Sequence, residues 1–308
     1  MRHFLIRVLF FGAVLAAFFG LFNGAMALLF GIIFSFFYKV PLKKHLHKTI
    51  QFLLKIAVVG LGFGMNLMET ISTTTTNFGL IFFSVLGSVC LGLFLSKRMK
   101  IEKKLGYLLT SGTTICGGSA IATVSPVIKA DTKVISIALG IVFLLNAVAL
   151  LVFPAMGHWL GLSQYDFGRW CAIAIHDTSS VVGATLSYGE ESLKIATTVK
   201  LSRTLWIIPL SLFSMFVFKT KVNSIRLPYF ILLFIGAIFI SDFEIFTIEI
   251  TDFIVLVSKR ILVLTLFLVG ASISVEDIKK TGTKPFVMAV VLWVFIAAFS
   301  LGYIMFFG

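Results

Sequence analysis

Apolar segments of about 20 residues follow one another along the whole chain, with only short polar loops between them. A segment of that length is long enough to cross a bilayer, and as a helix it satisfies its own backbone hydrogen bonds there. Hydrophobic residues make up 59% of the 308 residues, which is more than a soluble domain can bury. The sequence therefore predicts an all-α polytopic membrane protein.

About eleven transmembrane helices are predicted from these segments. They lie at roughly 4–22, 23–38, 48–68, 77–96, 104–128, 132–153, 165–187, 192–218, 226–241, 254–275 and 284–307. The first two are short and are joined by a tight turn at Asn23-Gly24, so a re-entrant pair is an alternative to two spans. No cleavage pattern follows the first helix, which favours a retained span over a signal peptide. Because the loops are too short for a soluble domain, residues 1–308 are expected to form a single transmembrane domain.

Charge alternates between the predicted loops. The net charge is +13, which in a soluble protein would suggest a nucleic-acid partner. Here the Lys and Arg residues concentrate in alternate loops: Lys39, Lys43, Lys44 and Lys48, then Lys97, Arg98, Lys100, Lys103 and Lys104, then Lys219, Lys221 and Arg226, and finally Lys279, Lys280 and Lys284. The positive-inside rule places these loops and the N-terminus in the cytoplasm and the C-terminus outside. The basic balance is therefore a topology signal, and no nucleic-acid partner is expected.

An inverted repeat is a second level of organisation that the pattern suggests. One extra helix plus two sets of five gives repeats at 23–153 and 165–307, in which span five pairs with span ten. The run Gly118–Ala122 (GSAIA) then corresponds to Gly270–Ser274 (GASIS). Inverted repeats that each carry a broken helix are typical of secondary transporters. Gly60–Asn66 in span three is a competing match for the run in span ten.

Small and hydroxyl-bearing residues dominate positions 110–126 (TSGTTICGGSAIATVSP), inside span five. Glycine lowers helix propensity, so the helix is expected to open at Gly117-Gly118. A break inside a membrane survives only where protein or a water-filled cavity covers it, and such breaks line substrate and ion sites. The alternative is a small-residue packing face. The candidate binding residues of the run and of its counterpart are Thr114, Cys116, Gly117, Gly118, Ser119, Ser272 and Ser274.

Span seven carries five consecutive polar residues about halfway along, from His176 to Ser180. A charged side chain at the bilayer centre is costly and will not face lipid. We therefore expect His176 and Asp177 to bind substrate or a proton, with help from Thr178 and Ser179. The alternative is a buried polar network that only locks helix packing.

Span eight carries two cations, Lys200 and Arg203, on one helix face because they are three residues apart. Arg203 lies ~17 Å into the membrane at a rise of 1.5 Å per residue. Two buried cations suit an oxyanion, which the Arg guanidinium can bind as a fork. The alternative is a salt bridge to Asp177 that neutralises both charges, and the two roles are compatible.

Several segments resemble the YeiH family of bacterial inner-membrane proteins. The matches are Thr114–Ala120 (TICGGSA), Pro126–Ala130 (PVIKA), Ala174–Thr178 (AIHDT), Val181–Ala184 (VVGA) and Val199–Arg203 (VKLSR). The resemblance implies a multi-spanning protein of the bacterial plasma (inner) membrane, in a family described as sulfate exporters. It also implies kinship with the sodium/proton antiporter and bile-acid transporter folds, which have crossed broken helices. Ser179-Ser180 stands where the family pattern has alanine-glutamine, so a role of that glutamine cannot be transferred.

These features together predict a secondary transporter of a small anion, such as sulfate, a related oxyanion or an organic acid, that works by alternating access. A coupling proton or sodium ion and the lipid bilayer are the expected partners, and a homodimer is left open. A membrane receptor or sensor that works through a partner is the alternative class. An intramembrane hydrolase would need a nucleophile or metal set beside His176 and Asp177, and the sequence offers none, so no enzyme is expected. Neither a cofactor nor a metal is expected, because the three cysteines lack metal-ligand spacing.

Overall fold

The computed structural model describes residues 2–22, 24–38, 43–219, 229–272 and 282–307. These residues form helices joined by short turns, and no strand occurs among them. The α-helices are α1 (Arg2–Phe18), α2 (Gly24–Phe37), α3 (Lys43–Leu61), α4 (Leu67–Thr76), α5 (Phe78–Arg98), α6 (Lys103–Thr114), α7 (Gly118–Val127), α8 (Thr132–Trp159), α9 (Gln164–Ala174), α10 (Thr178–Tyr188), α11 (Glu190–Thr204), α12 (Ile207–Phe218), α13 (Tyr229–Asp242), α14 (Ile248–Ser272) and α15 (Thr283–Phe307). The predicted all-helical class is confirmed.

Five helical stretches within the described residues are long and apolar enough to cross a membrane, at 78–98, 133–159, 190–218, 248–272 and 283–307. A sixth arises if α3 and α4, which meet at a bend of 109°, form one broken span. Shorter apolar helices of 10 to 17 residues lie at Ile6–Phe18, Gly118–Val127 and Tyr229–Asp242. The count of about eleven stays a prediction, and the multi-pass class is clear.

The chain divides into two compact units. The first comprises Met1–Ser72, Val182–Ser187 and Pro228–Ser274, and the second comprises Thr73–Val181, Tyr188–Leu227 and Val275–Gly308. The predicted repeats at 23–153 and 165–307 follow different boundaries, and their register stays a prediction.

The first unit is organised around α14. Its core includes an aromatic cluster of Phe10, Phe34 and Phe267, with ring centroids 5.4 to 6.4 Å apart. Gly31 of α2 lies so close to α14 that a β-carbon at this position would overlap the Phe267 carbonyl. Small residues at such positions let membrane helices approach closely, since lipid provides no hydrophobic drive for their association.

The bend after α3, also in the first unit, is held by Asp242 at the end of α13. The Asp242 carboxylate accepts from the Asn66 side-chain amide at 2.9 Å and from the Leu67 backbone N–H at 3.3 Å. Asn66 in turn accepts from the Glu69 backbone N–H. These contacts satisfy N–H groups at the start of α4 that have no partner within the helix. The sequence interpretation treated 48–68 as one straight span and did not foresee this bend.

The second unit contains α5 to α9, the start of α10, α11, α12 and α15. Two tryptophan side chains tie α9 to α15: the Trp170 indole donates to Ala297 O at 2.9 Å, and the Trp293 indole donates to Ala174 O at 3.1 Å. Phe153 of α8 stacks on Trp170 with ring centroids 4.3 Å apart. These contacts fix α9 between α8 and α15, and they position the end of α9, where the candidate site lies.

The predicted topology can be tested at two exposed positions, Lys100 and Glu249. We expect a cysteine at Lys100 to react with a membrane-impermeant maleimide only from the cytoplasmic side, and one at Glu249 only from the opposite side, because of the positive-inside rule. The measurement is labelling of intact and of permeabilised cells, with Cys90, Cys116 and Cys171 replaced by Ser in all samples. Labelling of both positions from one side would contradict the predicted arrangement.

Candidate functional site

The first interruption separates α6 from α7 at Ile115, Cys116 and Gly117. Gly117 has φ +60° and ψ −120°, a conformation that only glycine adopts without strain. The surrounding residues of both half-helices, from Leu105 to Gly118, are buried by protein. The sequence predicted an opening at Gly117-Gly118. In the structure the helix is interrupted for three residues, and α7 begins at Gly118.

The second interruption separates α9 from α10 at Ile175, His176 and Asp177. The sequence interpretation had a continuous span at 165–187 and placed the second broken helix in span ten. Helix α14, which corresponds to span ten, is continuous as far as Ser272, and residues 273–281 lie outside the described residues. The HDTSS run thus marks a break, because its short polar side chains can replace backbone partners that a continuous helix would supply.

The two interruptions lie against each other. A β-carbon built on Gly117 would lie 3.2 Å from the Asp177 β-carbon, 3.4 Å from the Asp177 backbone nitrogen and 3.3 Å from a Val142 methyl group. Four half-helix ends therefore meet within the second unit: the carboxyl ends of α6 and α9, and the amino ends of α7 and α10. Half-helix ends that meet in this way supply opposed partial charges at one buried place.

Asp177 is the N-cap of α10. Its carboxylate accepts from the Ser180 backbone N–H at 2.8 Å and from the Ser179 hydroxyl at 2.6 Å. Further donors are the Ser180 hydroxyl at 3.2 Å and the Asn146 amide at 3.3 Å. An aspartate at an N-cap satisfies a free N–H and complements the helix dipole. These donors occupy both carboxylate oxygens. Asp177 therefore fixes the conformation of the break and contributes a negative charge to it.

Asn146, in the middle of α8, was missed by the sequence interpretation. Its side-chain oxygen accepts from the backbone N–H groups of His176, at 3.0 Å, and of Asp177, at 3.4 Å. Its amide nitrogen donates to the Asp177 carboxylate. One side chain therefore replaces the helix partners that the break removes. The available signal was a lone asparagine in the apolar stretch 137–156 of α8.

We expect Asn146→Leu to destabilise the protein by about 2–4 kcal/mol, because it leaves the buried His176 N–H, the half-buried Asp177 N–H and part of a carboxylate without partners. The measurement is thermal unfolding of the purified protein in detergent. Ser300→Ala is the matched control, since the buried Ser300 hydroxyl bonds only within its own helix. Equal stability of Asn146→Leu and the control would contradict the assigned role.

Lys200 and Arg203 of α11 are both fully buried, and they face the carboxyl ends of the half-helices. The Lys200 ammonium donates to Ala172 O at 3.2 Å and to Ile175 O at 2.7 Å. Arg203 Nη1 donates to Ala172 O and Ile173 O, and Nη2 donates to Thr113 O at 3.4 Å. The last carbonyls of a helix have no partner within it and carry partial negative charge. With the Trp293 indole on Ala174 O, cationic and indole donors satisfy the whole end of α9.

The expected alternative of a salt bridge between Arg203 and Asp177 does not occur. Arg169 of α9 forms an ion pair with Asp166, at 3.3 Å. Arg203 is engaged with backbone carbonyls, and Asp177 is engaged with Asn146 and two serines. The predicted common face of Lys200 and Arg203 is present, and both cations lie where two helices end.

Several buried polar groups beside the breaks have no hydrogen-bond partner in the described part of the chain. They are the Thr113 and Thr114 hydroxyls, both ring nitrogens of His176 and Arg203 Nε. Thr113, Thr114, His176 and Arg203 are all fully buried. His176 lies within electrostatic range of Lys200 and Arg203. The Cys116 thiol contacts the Thr204 hydroxyl and the Ala120 N–H, at the amino end of α7. Buried polar groups are normally paired, so unpaired donors and acceptors concentrated at one place indicate a ligand site.

The structure brings most of the predicted residues to this place. Thr114, Cys116, Gly117, Gly118, His176, Asp177, Ser179, Lys200 and Arg203 lie at the breaks or contact them. Ser119 is exposed and Thr178 is half-buried at the first turns of α7 and α10. Ser272 belongs to the first unit, and Ser274 lies outside the described residues. The sequence interpretation also overlooked Lys259 and Arg260, two cations at the middle of the apolar helix α14.

Buried half-helices, a polar break and apolar helices long enough to span define the class: a multi-pass α-helical membrane protein with a buried polar centre. The family described as Conserved hypothetical protein 698 matches residues 5–289. The chain belongs to this family, which is the YeiH (UPF0324) family of membrane proteins, as the motifs in the sequence predicted.

Relatives with this family name come from distant bacteria. A UPF0324 membrane protein of Photobacterium profundum is 44% identical over 297 residues, covering 96% of this chain and 91% of the relative. One from Shewanella oneidensis is 44% identical over 301 residues, covering 98% and 95%. One from Bacteroides thetaiotaomicron is 44% identical over 283 residues, covering 91% and 86%. No solved structure is significantly similar to the chain.

Proposed function

We propose that this protein is a secondary transporter of a small anion and that the anion binds at the two interruptions of the second unit. One observation carries the proposal: two fully buried cations, Lys200 and Arg203, lie at the meeting point of two broken helices, and no carboxylate of the described residues binds either of them. A broken helix inside a membrane is tolerated where it forms a binding site.

The donors that remain free favour an anion over a cation. Arg has five N–H donors, and those of Arg203 make three hydrogen bonds, with Nε unpartnered. Nε and Nη2 lie on one edge of the guanidinium, so they can present a fork to two oxygens of an oxyanion. The unpartnered Thr113 and Thr114 hydroxyls and the His176 ring provide further polar groups. A metal cation would instead need oxygen ligands. The oxygens of the Asp177 carboxylate already accept hydrogen bonds from Ser179, Ser180 and Asn146.

The site residues have distinct roles in this proposal. Arg203 and Lys200 hold the anion and the helix ends together, and Asn146 and Asp177 keep the break open in one shape. Alternating access then requires movement of the buried site toward each side of the membrane, and a proton or a sodium ion is proposed to drive it. A bacterial plasma membrane location, with the N-terminus in the cytoplasm, is part of the same proposal.

Transport is tested with purified protein in liposomes. We expect uptake of a labelled anion that saturates with concentration and that depends on an imposed proton or sodium gradient. The same anion should raise the thermal unfolding temperature, because a ligand that binds only the folded state stabilises it. Binding without flux would favour the receptor or sensor alternative, and absence of both from a panel of small anions would contradict the proposal.

A further inference from the structure

The formal charges at the breaks can be counted. Lys200 and Arg203 contribute +2, and Asp177, which lies within electrostatic range of Lys200, contributes −1. Arg169 of α9 is also a buried cation, and Asp166 already compensates its charge. The remaining charges of α6 and α8, at Lys103, Lys104, Asp131 and Lys133, lie at helix ends and are not buried. Counted over the residues that the structure describes, the buried centre therefore carries one uncompensated positive charge.

An uncompensated charge in a medium of low dielectric constant is costly, and a bound counter-charge removes that cost. A monovalent anion brings the centre to neutrality, whereas a divalent anion leaves it with a charge of −1. Helix dipoles do not alter the count, because two carboxyl ends and two amino ends meet there and their partial charges oppose each other.

We propose that the site selects monovalent oxyanions, such as monocarboxylates and monosulfonates, over divalent ones such as sulfate. This inference rests on the proposed function, and it narrows the substrate class by charge. The fork of Arg203 Nε and Nη2 sets the preference for oxygen atoms, and the single net charge sets the valence. The function expected from family resemblance, sulfate export, is thereby the less favoured case.

The test compares anions that match in shape and differ in charge. Methanesulfonate is paired with sulfate and acetate with malonate, at pH 8, where an ordinary imidazole is neutral, and at constant ionic strength. The full-length protein in detergent is titrated, and its thermal stabilisation gives each Kd. We expect Kd for the monovalent member of at least one pair to be at least tenfold lower. A preference for the monovalent member of less than tenfold in both pairs overturns the inference and leaves anion transport standing, whereas no binding of any anion overturns both.

A charge variant tests the cause of the preference. Asp177→Asn raises the net charge to +2 and keeps a good N-cap residue, since Asn and Asp cap helices equally well. We expect it to shift the sulfate-to-methanesulfonate affinity ratio at least tenfold toward sulfate. Asp131→Asn is the matched control, because Asp131 is also an N-cap but is exposed and its side chain makes no capping bond. An unchanged ratio in folded Asp177→Asn overturns the charge count, and the wild-type comparison decides the inference if that variant does not fold.

Discussion

Arg203→Gln is expected to lower the affinity for the transported anion about a hundredfold or more, because hydrogen bonds to a charged group contribute about 1.5–3 kcal/mol each and the fork supplies two. Lys200 still donates to Ala172 O in this variant, so the carboxyl end of α9 keeps a cationic partner, and the glutamine amide keeps a hydrogen-bond donor in the buried space. This choice matters because Arg203→Ala would leave no side-chain donor in place of the guanidinium, which bonds to the Ile173 and Thr113 carbonyls at two helix ends. The measurement is anion-dependent thermal stabilisation together with liposome flux.

Arg203→Lys separates charge from geometry. It keeps the positive charge but removes the fork, so we expect weak anion binding to remain and oxyanions to lose more affinity than chloride. The control is Lys219→Gln, which removes an exposed cation at the end of α12 and should change neither flux nor stabilisation. If Arg203→Gln kept the wild-type anion affinity while folding normally, Arg203 would serve only to cap helix ends.

Gly117→Ala is expected to abolish transport. At φ +60° and ψ −120° an alanine is strained by about 1–3 kcal/mol, before any contact is considered. Its β-carbon would in addition press on Asp177 and Val142 at 3.2 to 3.4 Å, which is tighter than ordinary contact. The second interruption must then shift, and with it the carbonyls that hold Lys200 and Arg203. The neighbours must give by a few tenths of an ångström, and this shift adds to the backbone strain at the same place.

Gly302→Ala is the matched control for this variant. Gly302 is a helical residue of α15, and a β-carbon there would meet no atom within 4 Å. The control should be neutral or slightly stabilising, because alanine favours helix more than glycine does. Both variants should insert into the membrane at wild-type levels. Full flux in Gly117→Ala would show that the contact between the two breaks is not required for transport.

The membrane class, the break at Gly117 and the buried cations could be predicted from the sequence because each rests on a local cost. Lipid cannot form hydrogen bonds with backbone groups and cannot solvate a charge. The fold is therefore restricted by each of three local features: an apolar run of about twenty residues, two adjacent glycines, and an arginine deep in a span. The family motifs added the prediction that the break and the buried cations occur together in one protein. Thr114, Cys116, Gly117, His176 and Arg203 were all identified on such grounds.

Tertiary structure alone decided which groups meet. The sequence offered Asp177 as the partner of Arg203, since opposite charges attract, but the free carbonyls of α6 and α9 occupy the guanidinium instead. It also treated 165–187 as a continuous span, whereas the helix opens at His176, where Asn146 replaces the lost hydrogen bonds. Asn146 lies 30 residues from His176 along the chain, and a hydrogen bond over that separation leaves no periodic trace in a sequence. The free-energy cost of burying each polar group can be inferred from the sequence, residue by residue. The partners that offset this cost are determined by how helices that are distant in the chain pack together.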